Sequence, residues 1–475
     1  MRMLYSGLCI NSARSNEAVG FRLFRSLLYI AIALYPVLPV NYYIGSLSYA
    51  NVCAALIIPL YVASEYGKLP PIRMLRENKA FWIFEIYMLI ATVITVDVLH
   101  GITALVSSVL VPMVIADLAR NESNRRRMLD GVVKVAVGLA VLAFYEALSG
   151  RYLIQSELLS EVDGARYGIL RAAGPFGNPI LLGLYQAIAA LICFYRLVID
   201  NRRAPFTCGI CAYITIVASV LFTVSRLALC LFVVGQIILL VRKGVLFSIA
   251  YLYGAFALVL IGVAVLTALG FNLSGLVEDF FTSLASLLGA RVQIVGDETI
   301  GFGNRLDLYA WVANDVGNNW LLGLGVGTPF THVLNEWTIK TSIEVHYLYI
   351  YYQCGLTGLV LLVASFLCTL RYIASNLDSS RDGVEGNQLF LLLLILGLYY
   401  ICLFGVQETD LTRLSCELVA LAIGISVSVK NSLESKVLSS SFHNSNFVME
   451  ERPTANLGTI KDDSMNSSKG IPHGL

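Results

Sequence analysis

The stretch QLFLLLLILGLYYICLFGV, residues 388–406, carries no charged side chain. A helix needs about 20 apolar residues to cross the hydrocarbon core of a bilayer, so this stretch predicts a transmembrane helix. Comparable apolar runs recur along the chain, with short polar breaks between them. They lie at about 23–40, 45–63, 80–97, 101–117, 131–148, 176–195, 207–224, 227–241, 245–269, 346–370, 388–406 and 412–429. The pattern predicts an all-α, polytopic integral membrane protein with about 12 transmembrane helices.

The composition of the chain agrees with this class. Of the 475 residues, 57% are hydrophobic and 14% are charged, whereas a soluble domain has about 25% charged residues. The mean hydropathy is +0.73. These values exclude a soluble enzyme, a disordered protein and a secreted disulfide scaffold. The net charge of +1 also argues against a nucleic-acid-binding protein, which needs a basic surplus to neutralise phosphates.

Basic residues in alternate short loops predict which way the spans point. Lys and Arg mark the cytoplasmic side, and the intervening loops at 41–44 and 98–100 hold none. The basic residues of the predicted cytoplasmic loops are Lys68, Arg73, Arg76, Lys79, Arg120, Arg125, Arg126, Arg127, Arg196, Arg202, Arg203, Arg242, Lys243, Arg371 and Arg381. Both termini are therefore expected in the cytoplasm.

This orientation divides the chain into three predicted regions. They are a cytoplasmic tail at 1–22, a transmembrane domain at 23–429 and a disordered, Ser- and Asn-rich cytoplasmic tail at 430–475. Two segments on the outer side, about 149–175 and about 270–345, exceed an ordinary turn, and such long loops are usually functional or disordered. The second lies between spans 9 and 10 and includes a helix-like stretch from Arg305 to about Val316.

A charge at the bilayer centre costs about 2.5–3.5 kcal/mol on insertion scales, so charged residues in or beside predicted spans need a physical reason. Glu85, Glu146, Arg226 and Glu417 are four such residues. Arg226, at the outer junction of two spans, either snorkels to lipid headgroups or binds an anion. We interpret Glu85 and Glu417 as structural residues packed against arginines.

Further basic residues are predicted on the outer side, against the positive-inside bias. They are Arg151, Arg166, Arg171, Arg291, Arg305, Lys340 and Arg413. The planar guanidinium of Arg matches phosphate oxygens in a bidentate manner, so outer arginines would suit a lipid diphosphate. The alternative is ion pairing with the outer acids Glu278, Asp279, Asp297, Asp307 and Glu336.

His346 lies where the second long segment re-enters the membrane. Histidine has an ordinary pKa of about 6.5, so it can act as a general base towards a sugar hydroxyl at neutral pH. The alternative is that His346 is an interfacial histidine packed among tyrosines. His332, in the same outer segment, is a weaker candidate for the base. The sequence contains no Asp-x-Asp pair for a divalent metal, and we interpret the lone CxxC of Cys208 and Cys211 as helix packing rather than a zinc site.

Four short motifs follow one another within residues 166–372. They are RAAGPFGNP at 171–179; Ser225-Arg226; Arg305 and Trp311 with NWLLGLGVG at 319–327; and His346 with GLTG at 355–358. They resemble the motifs of the bacterial O-antigen ligase and O-antigen polymerase superfamily, both in their order along the chain and in the side of the membrane on which they are predicted to lie. The chain departs from that pattern at Tyr347, where ligases usually have Asn, and at Trp320, where Pro is usual. An ungapped alignment from Gly355 places Glu344, not His346, at the family's histidine position, and some polymerase-like members carry an acidic residue there.

The resemblance implies a C-type glycosyltransferase-like fold with a long periplasmic loop between spans 9 and 10. It also implies transfer of a glycan from undecaprenyl diphosphate at the periplasmic face of the bacterial inner membrane, without a metal or cofactor. Arg226, Arg305 and Arg171 would bind the diphosphate, and His346 or Glu344 would be the base.

The resemblance also implies the partners of the protein. A polymerase passes the glycan to another lipid-linked repeat unit, whereas a ligase passes it to lipid A core. We favour a polymerase over a ligase, and a transporter or flippase of lipid-linked sugars is the third hypothesis. Membrane lipids and other polysaccharide-assembly proteins, such as a flippase and a chain-length regulator, are the remaining expected partners.

Overall fold

The computed structural model describes most of the predicted transmembrane domain. The described residues are 23–39, 43–44, 47–64, 68–154, 165–166, 169–199, 206–244, 302–335, 338–340, 343, 345–380, 383–405 and 412–449. The chain consists of two compact units, Met1–Val429 and Lys430–Leu475. Within the described residues the protein is all-helical apart from short hairpins.

The described helices follow the apolar runs of the sequence. They are α1 Leu23–Val37, α2 Tyr49–Ser64, α3 Lys79–Thr95, α4 Val98–Ala119, α5 Glu122–Ser149, α6 Pro179–Val198, α7 Phe206–Phe222, α8 Arg226–Lys243, α9 Phe302–Val316, α10 His346–Ser379, α11 Val384–Cys402 and α12 Thr412–Met449. The antiparallel hairpins pair β1 Tyr43–Ile44 with β2 Leu47–Ser48, β3 Ala165–Arg166 with β4 Ile169–Leu170, and β5 His332–Asn335 with β6 Thr338–Lys340.

Among the described helices, six are long and apolar enough to cross a membrane, which is typical of an integral membrane protein. They are α4, α5, α6, α10, α11 and the Thr412–Ser435 part of α12, and shorter apolar helices occupy Leu23–Val37, Tyr49–Ser64 and Gly209–Phe222. Every predicted span coincides with a helix except the one at about 245–269, which lies outside the described residues. The count of 12 spans and the side of each loop stay predictions.

Two further expectations concern segments outside the predicted spans. The helix-like stretch predicted from Arg305 to about Val316 is confirmed as α9, Phe302–Val316. The tail expected from position 430 begins inside a helix, because α12 continues to Met449. Residues 450–475 lie outside the described part of the chain.

The centre of the bundle is α6, which is buried along most of its length. It packs between α5, α7, α8 and α11. A helix that is apolar on all sides is typically buried, and the side-chain NH2 group of Gln186 donates to the carbonyl of Ala136 at 3.0 Å. Arg196, in its last turn, forms an ion pair with Asp130 of α5.

Helix α10 is broken in its first half at Gly355. The residue has φ +62° and ψ −164°, outside the helical region and open to glycine alone. The segment 320–325 lies against the break and satisfies the backbone groups there. N–H groups of Leu324 and Gly325 donate to Tyr352 and Gln353 (3.0 and 2.9 Å), and those of Leu356 and Thr357 donate to Trp320 and Leu321 (2.8 and 3.1 Å).

Two glycines allow the backbones to approach so closely. A Cβ at Gly355 would lie 2.4 Å from the carbonyl carbon and oxygen of Leu321. A Cβ at Gly323, which has φ +76°, would lie 2.5 Å from the backbone of Gln353 and Cys354. These obstacles are backbone atoms, so no side-chain rearrangement can make room. The contact therefore positions the loop at 320–327 against the start of α10.

We expect Gly355→Ala and Gly323→Ala each to destabilise the protein. Strain at a left-handed or glycine-only conformation costs on the order of 1–3 kcal/mol, and the backbone overlap adds to it. The apparent melting temperature of the full chain in detergent measures the effect. Gly397→Ala in α11 is the control, because its Cβ would meet no atom within 4 Å and alanine favours a helix. Equal melting temperatures for all three variants would contradict the close approach.

Arg125, which we expected to be only an orienting residue in a cytoplasmic loop, is 1% exposed. Its guanidinium donates to Gln388 Oε1 at 3.0 Å, to the carbonyls of Ala119 and Arg120 at 2.9 and 3.2 Å, and to Glu385 Oε1 at 3.3 Å. The hydroxyl of Ser428 donates to the same Glu385 oxygen at 2.7 Å. The cation therefore joins the end of α4 and the start of α5 to α11 and α12.

Arg125→Leu should strongly destabilise the bundle, because it leaves these acceptors without a donor. Hydrogen bonds to a charged group contribute about 1.5–3 kcal/mol each, and the partly exposed Glu385 also loses its ion pair. Arg126→Ala, which removes a more exposed neighbour paired with Glu122 on the same helix, should cost under about 1 kcal/mol. Thermal unfolding of the two purified variants makes the comparison, and equal losses would contradict the joining role of Arg125.

Candidate functional site

Arg171 lies in the segment that leads into α6, and it is 7% exposed. Its Nε donates to the carbonyl of Thr223 at 3.3 Å, and the N–H of Ala172 donates to the carbonyl of Phe222 at 3.1 Å. The first motif therefore packs directly against the turn between α7 and α8, which contains the second motif.

Glu146, in the last turn of α5, shapes the same segment. It is fully buried, and its Oε2 accepts hydrogen bonds from the N–H groups of Ala173 and Gly174 at 3.0 and 2.9 Å. Partial burial raises the pKa of the nearby Tyr152 phenol, the Glu146 carboxylate adds to the rise, and Arg171 opposes it. A buried anion and a buried cation therefore share this junction. The sequence shows Glu146 as a charged residue near a predicted span, but it does not indicate that Glu146 contacts the backbone of Ala173 and Gly174.

The rest of the first motif starts α6. Asn178 caps the helix by accepting the N–H of Ile180 at 2.8 Å, and Pro179 occupies the first helical position. Gly177, with φ +60°, provides the reversal before the cap. These residues have a structural role that needs no ligand.

The turn at 223–226 carries the second motif. Ser225 caps α8 by accepting the N–H of Ala228 at 3.4 Å, so Arg226 is the first helical residue and is half-buried. Val224 has φ +47°, which a β-branched residue rarely adopts. A Cβ at Gly183 of α6 would lie 2.7 Å from Thr223 Oγ1, so α6 closes tightly on this turn. Arg171 and Arg226 are thus brought to one junction.

His346 lies at the same end of the bundle as Arg226. The N–H of His346 donates to the carbonyl of Leu403, just beyond α11, at 3.0 Å. Two residues further, a Cβ at Gly405 would lie 3.5 Å from Leu227 Cδ2 of α8. We call this region, where α8 and α10 begin and α11 ends, the His346 end. Tyr347, which departs from the family pattern, donates to the carbonyl of Tyr400 at 2.7 Å and so ties α10 to α11.

Helix α9 lies beside the first turns of α10. Its buried residues Leu308, Val312 and Val316 pack in one cluster with Val345, Leu348 and Tyr352. The ring of Trp311 stacks on His332 at 4.0 Å between centroids. Arg305 lies in the first turn of α9, one turn before Leu308, but its side chain is outside the described part of the structure. Glu344, the other candidate base, also lies outside the described residues.

Of the two buried acids that we expect to pack against arginines, Glu417 has an arginine partner and Glu85 has none among the described residues. Glu417 has Arg413, one turn earlier on α12, as an electrostatic partner, and Arg413 also donates to the carbonyls of Tyr35 and Leu38 at 2.9 and 2.8 Å. Within the described residues Glu85 contacts no arginine, which corrects the expectation for this residue. The thiol of Cys416 donates to Glu85 Oε1 at 3.7 Å. Glu85 and His346 instead line a common cavity.

The described residues contain no group of three His, Cys, Asp or Glu side chains arranged as metal ligands. Arg171, Arg226 and His346 are among the described residues at this end of the bundle. The arginines can bind an anion, and the imidazole can accept a proton.

Comparison with known proteins does not identify the family of this chain. The chain matches no family model and no curated protein.

Proposed function

We propose that the protein is a metal-independent membrane glycosyltransferase of the polymerase type. It would join undecaprenyl-diphosphate-linked repeat units at the periplasmic face of a bacterial inner membrane. The donor and the acceptor would both be lipid-linked glycans, and no cofactor would be needed.

The observation that carries this proposal is the convergence of Arg171, Arg226 and His346 at one end of an apolar helical bundle. These residues are far apart in the sequence, and two of them are largely buried. Arginines that support a fold by pairing with nearby acids would not need a histidine at the same end. An anionic headgroup with a hydroxyl acceptor beside it would use both residue types.

The arginines would stabilise the leaving group. When the bond between the anomeric carbon and the diphosphate oxygen breaks, its electron pair stays on the diphosphate. Arginine donors that lie where this charge develops lower the barrier without a metal. Arg226 and Arg305 would be the main ligands of the diphosphate, with Arg171 as a further anionic contact.

The base would act on the acceptor. His346 or Glu344 would take the proton of a sugar hydroxyl, and the oxygen's electron pair would form the new bond to the anomeric carbon. The proton and the diphosphate then leave separately, so charge and atoms balance.

The break in α10 favours a transferase over a transporter. Transporters often have discontinuous helices whose free backbone groups bind the substrate near the bilayer midplane. In α10 the segment 320–325 occupies the backbone groups on both sides of Gly355. These groups are therefore not available to a transported ligand.

Arg226→Ala should abolish long glycan chains while the protein still reaches the membrane. Losing one preorganised donor to a developing oxyanion typically lowers the rate by about 10²–10³-fold. Gel analysis of polymer length in cells that carry each variant measures the effect.

Arg242→Ala is a matched control for this variant. Arg242 lies at the opposite end of α8, where it donates to Asn387 at 3.0 Å and covers the ring of Phe390. Its loss should leave the polymer length unchanged. Normal polymer in the Arg226→Ala strain would overturn the proposed diphosphate site.

A deletion strain separates a polymerase from a ligase. Loss of a polymerase should leave single repeat units, and this is the outcome we expect. Loss of a ligase would instead leave long polymer on undecaprenyl diphosphate. Mass analysis of the lipid-linked glycans distinguishes the two, and stranded long polymer would overturn the polymerase assignment in favour of a ligase.

A further inference from the structure

A cavity lies between α3, α10, α11 and α12, next to the His346 end. Its polar lining consists of Glu85, His346, Ser365, Thr412, Ser415 and Cys416. Aromatic and aliphatic side chains close the rest of the wall. A buried water needs two to four polar partners, and this lining provides them.

Glu85 and His346 are the carboxylic acid and the imidazole of this lining. They are 6% and 5% exposed, and they come from α3 and α10, which pack along each other. An ionisable group inside a membrane protein is usually paired or functional. Both side chains line the same cavity.

Among the described residues, the other groups that reach Glu85 carry no charge. They are the thiol of Cys416 on α12 and the hydroxyl of Ser108, which lies in the π-helical stretch Leu105–Leu110 of α4. Both are hydrogen-bond donors without charge. Glu417, by contrast, has Arg413 beside it on the same helix. Glu85 is therefore the buried acid whose surroundings match an imidazole partner.

We propose that Glu85 is a positioning residue for His346. Its carboxylate would hold one ring nitrogen of His346 through water in the cavity, which leaves the other nitrogen to face the acceptor hydroxyl. When His346 takes the hydroxyl proton, Glu85 would stabilise the imidazolium through this water, as the acid of a Ser-His-Asp triad does. The proton later leaves to solvent.

This inference rests on the proposed function for the catalytic role of His346, and it assigns the base to His346 rather than to Glu344. The pairing of Glu85 with His346 is a separate physical claim. It can be measured whether or not the protein transfers a glycan.

Nitrogen NMR of the full chain in detergent tests the pairing. The protein is labelled with ¹⁵N-histidine, and the His346 signals are assigned by their loss in His346→Asn. In the unaltered protein the two ring nitrogens should show widely separated shifts, as expected for one tautomer held by an acceptor. Glu85→Leu should bring the two shifts together, and Glu85→Asp should keep them apart.

Glu417→Leu is the matched control, since it removes a second buried acid that does not line the cavity. It should leave the His346 signals unchanged. If Glu85→Leu does not fold, Glu85→Gln serves instead, because it keeps the shape and removes the charge, and the His346 shifts should still move. Unchanged His346 shifts in the Glu85 variant that folds would overturn the pairing.

Transfer activity then tests the positioning role. Glu85→Leu should lower kcat by up to about 10⁴-fold, the loss that follows when the acid of a Ser-His-Asp triad is replaced, with little change in KM for the lipid-linked donor. Glu85→Asp should recover part of the activity. Full activity in Glu85→Leu would overturn the positioning role. An inactive native protein whose His346 still shows one Glu85-dependent tautomer would overturn the proposed function and leave the pairing intact.

Discussion

The backbone groups at the break of α10 are hydrogen-bonded by protein, as any backbone group in the hydrocarbon core of a membrane must be, because no water is present there. The segment 320–325 meets this requirement, and it can do so only because Gly323 and Gly355 have no side chains in the contact. The same contact holds the loop at 320–327 and, through Tyr352, the packing surface of α9. The positions of Arg305 and His346 therefore depend on one backbone arrangement.

Buried charges divide into two groups with different consequences. Arg125 joins four helices through acceptors that are all visible in the structure, so its role is structural. At the His346 end, Glu146 and Arg171 organise the entry to α6, and Arg226 begins α8. Glu85 and His346, by contrast, line a common cavity. Ionisable groups that line a cavity are the ones that can meet a ligand or move a proton.

The sequence predicted some elements well for a clear physical reason. The helices of the bundle, and α9 outside it, follow local apolar patterns that do not depend on distant residues. The hairpins and the π-helical stretch of α4 each depend on only a few residues, so the sequence contains no pattern for them comparable to the apolar pattern of a helix. The roles of Arg125 and Glu85 were misjudged, because a loop arginine and a span glutamate look the same whether or not they have a partner across the bundle.

The sequence by itself determined the class of the protein, the position of its helices and the motifs that resemble a family of glycosyltransferases. Length and hydrophobicity are local properties, so they can be read along the chain. Only the tertiary structure decided that Arg171 contacts the turn of Arg226, that segment 320–325 completes α10, and that Glu85 shares a cavity with His346. These contacts join residues far apart in the sequence, and the packing of the helices determines which of them meet.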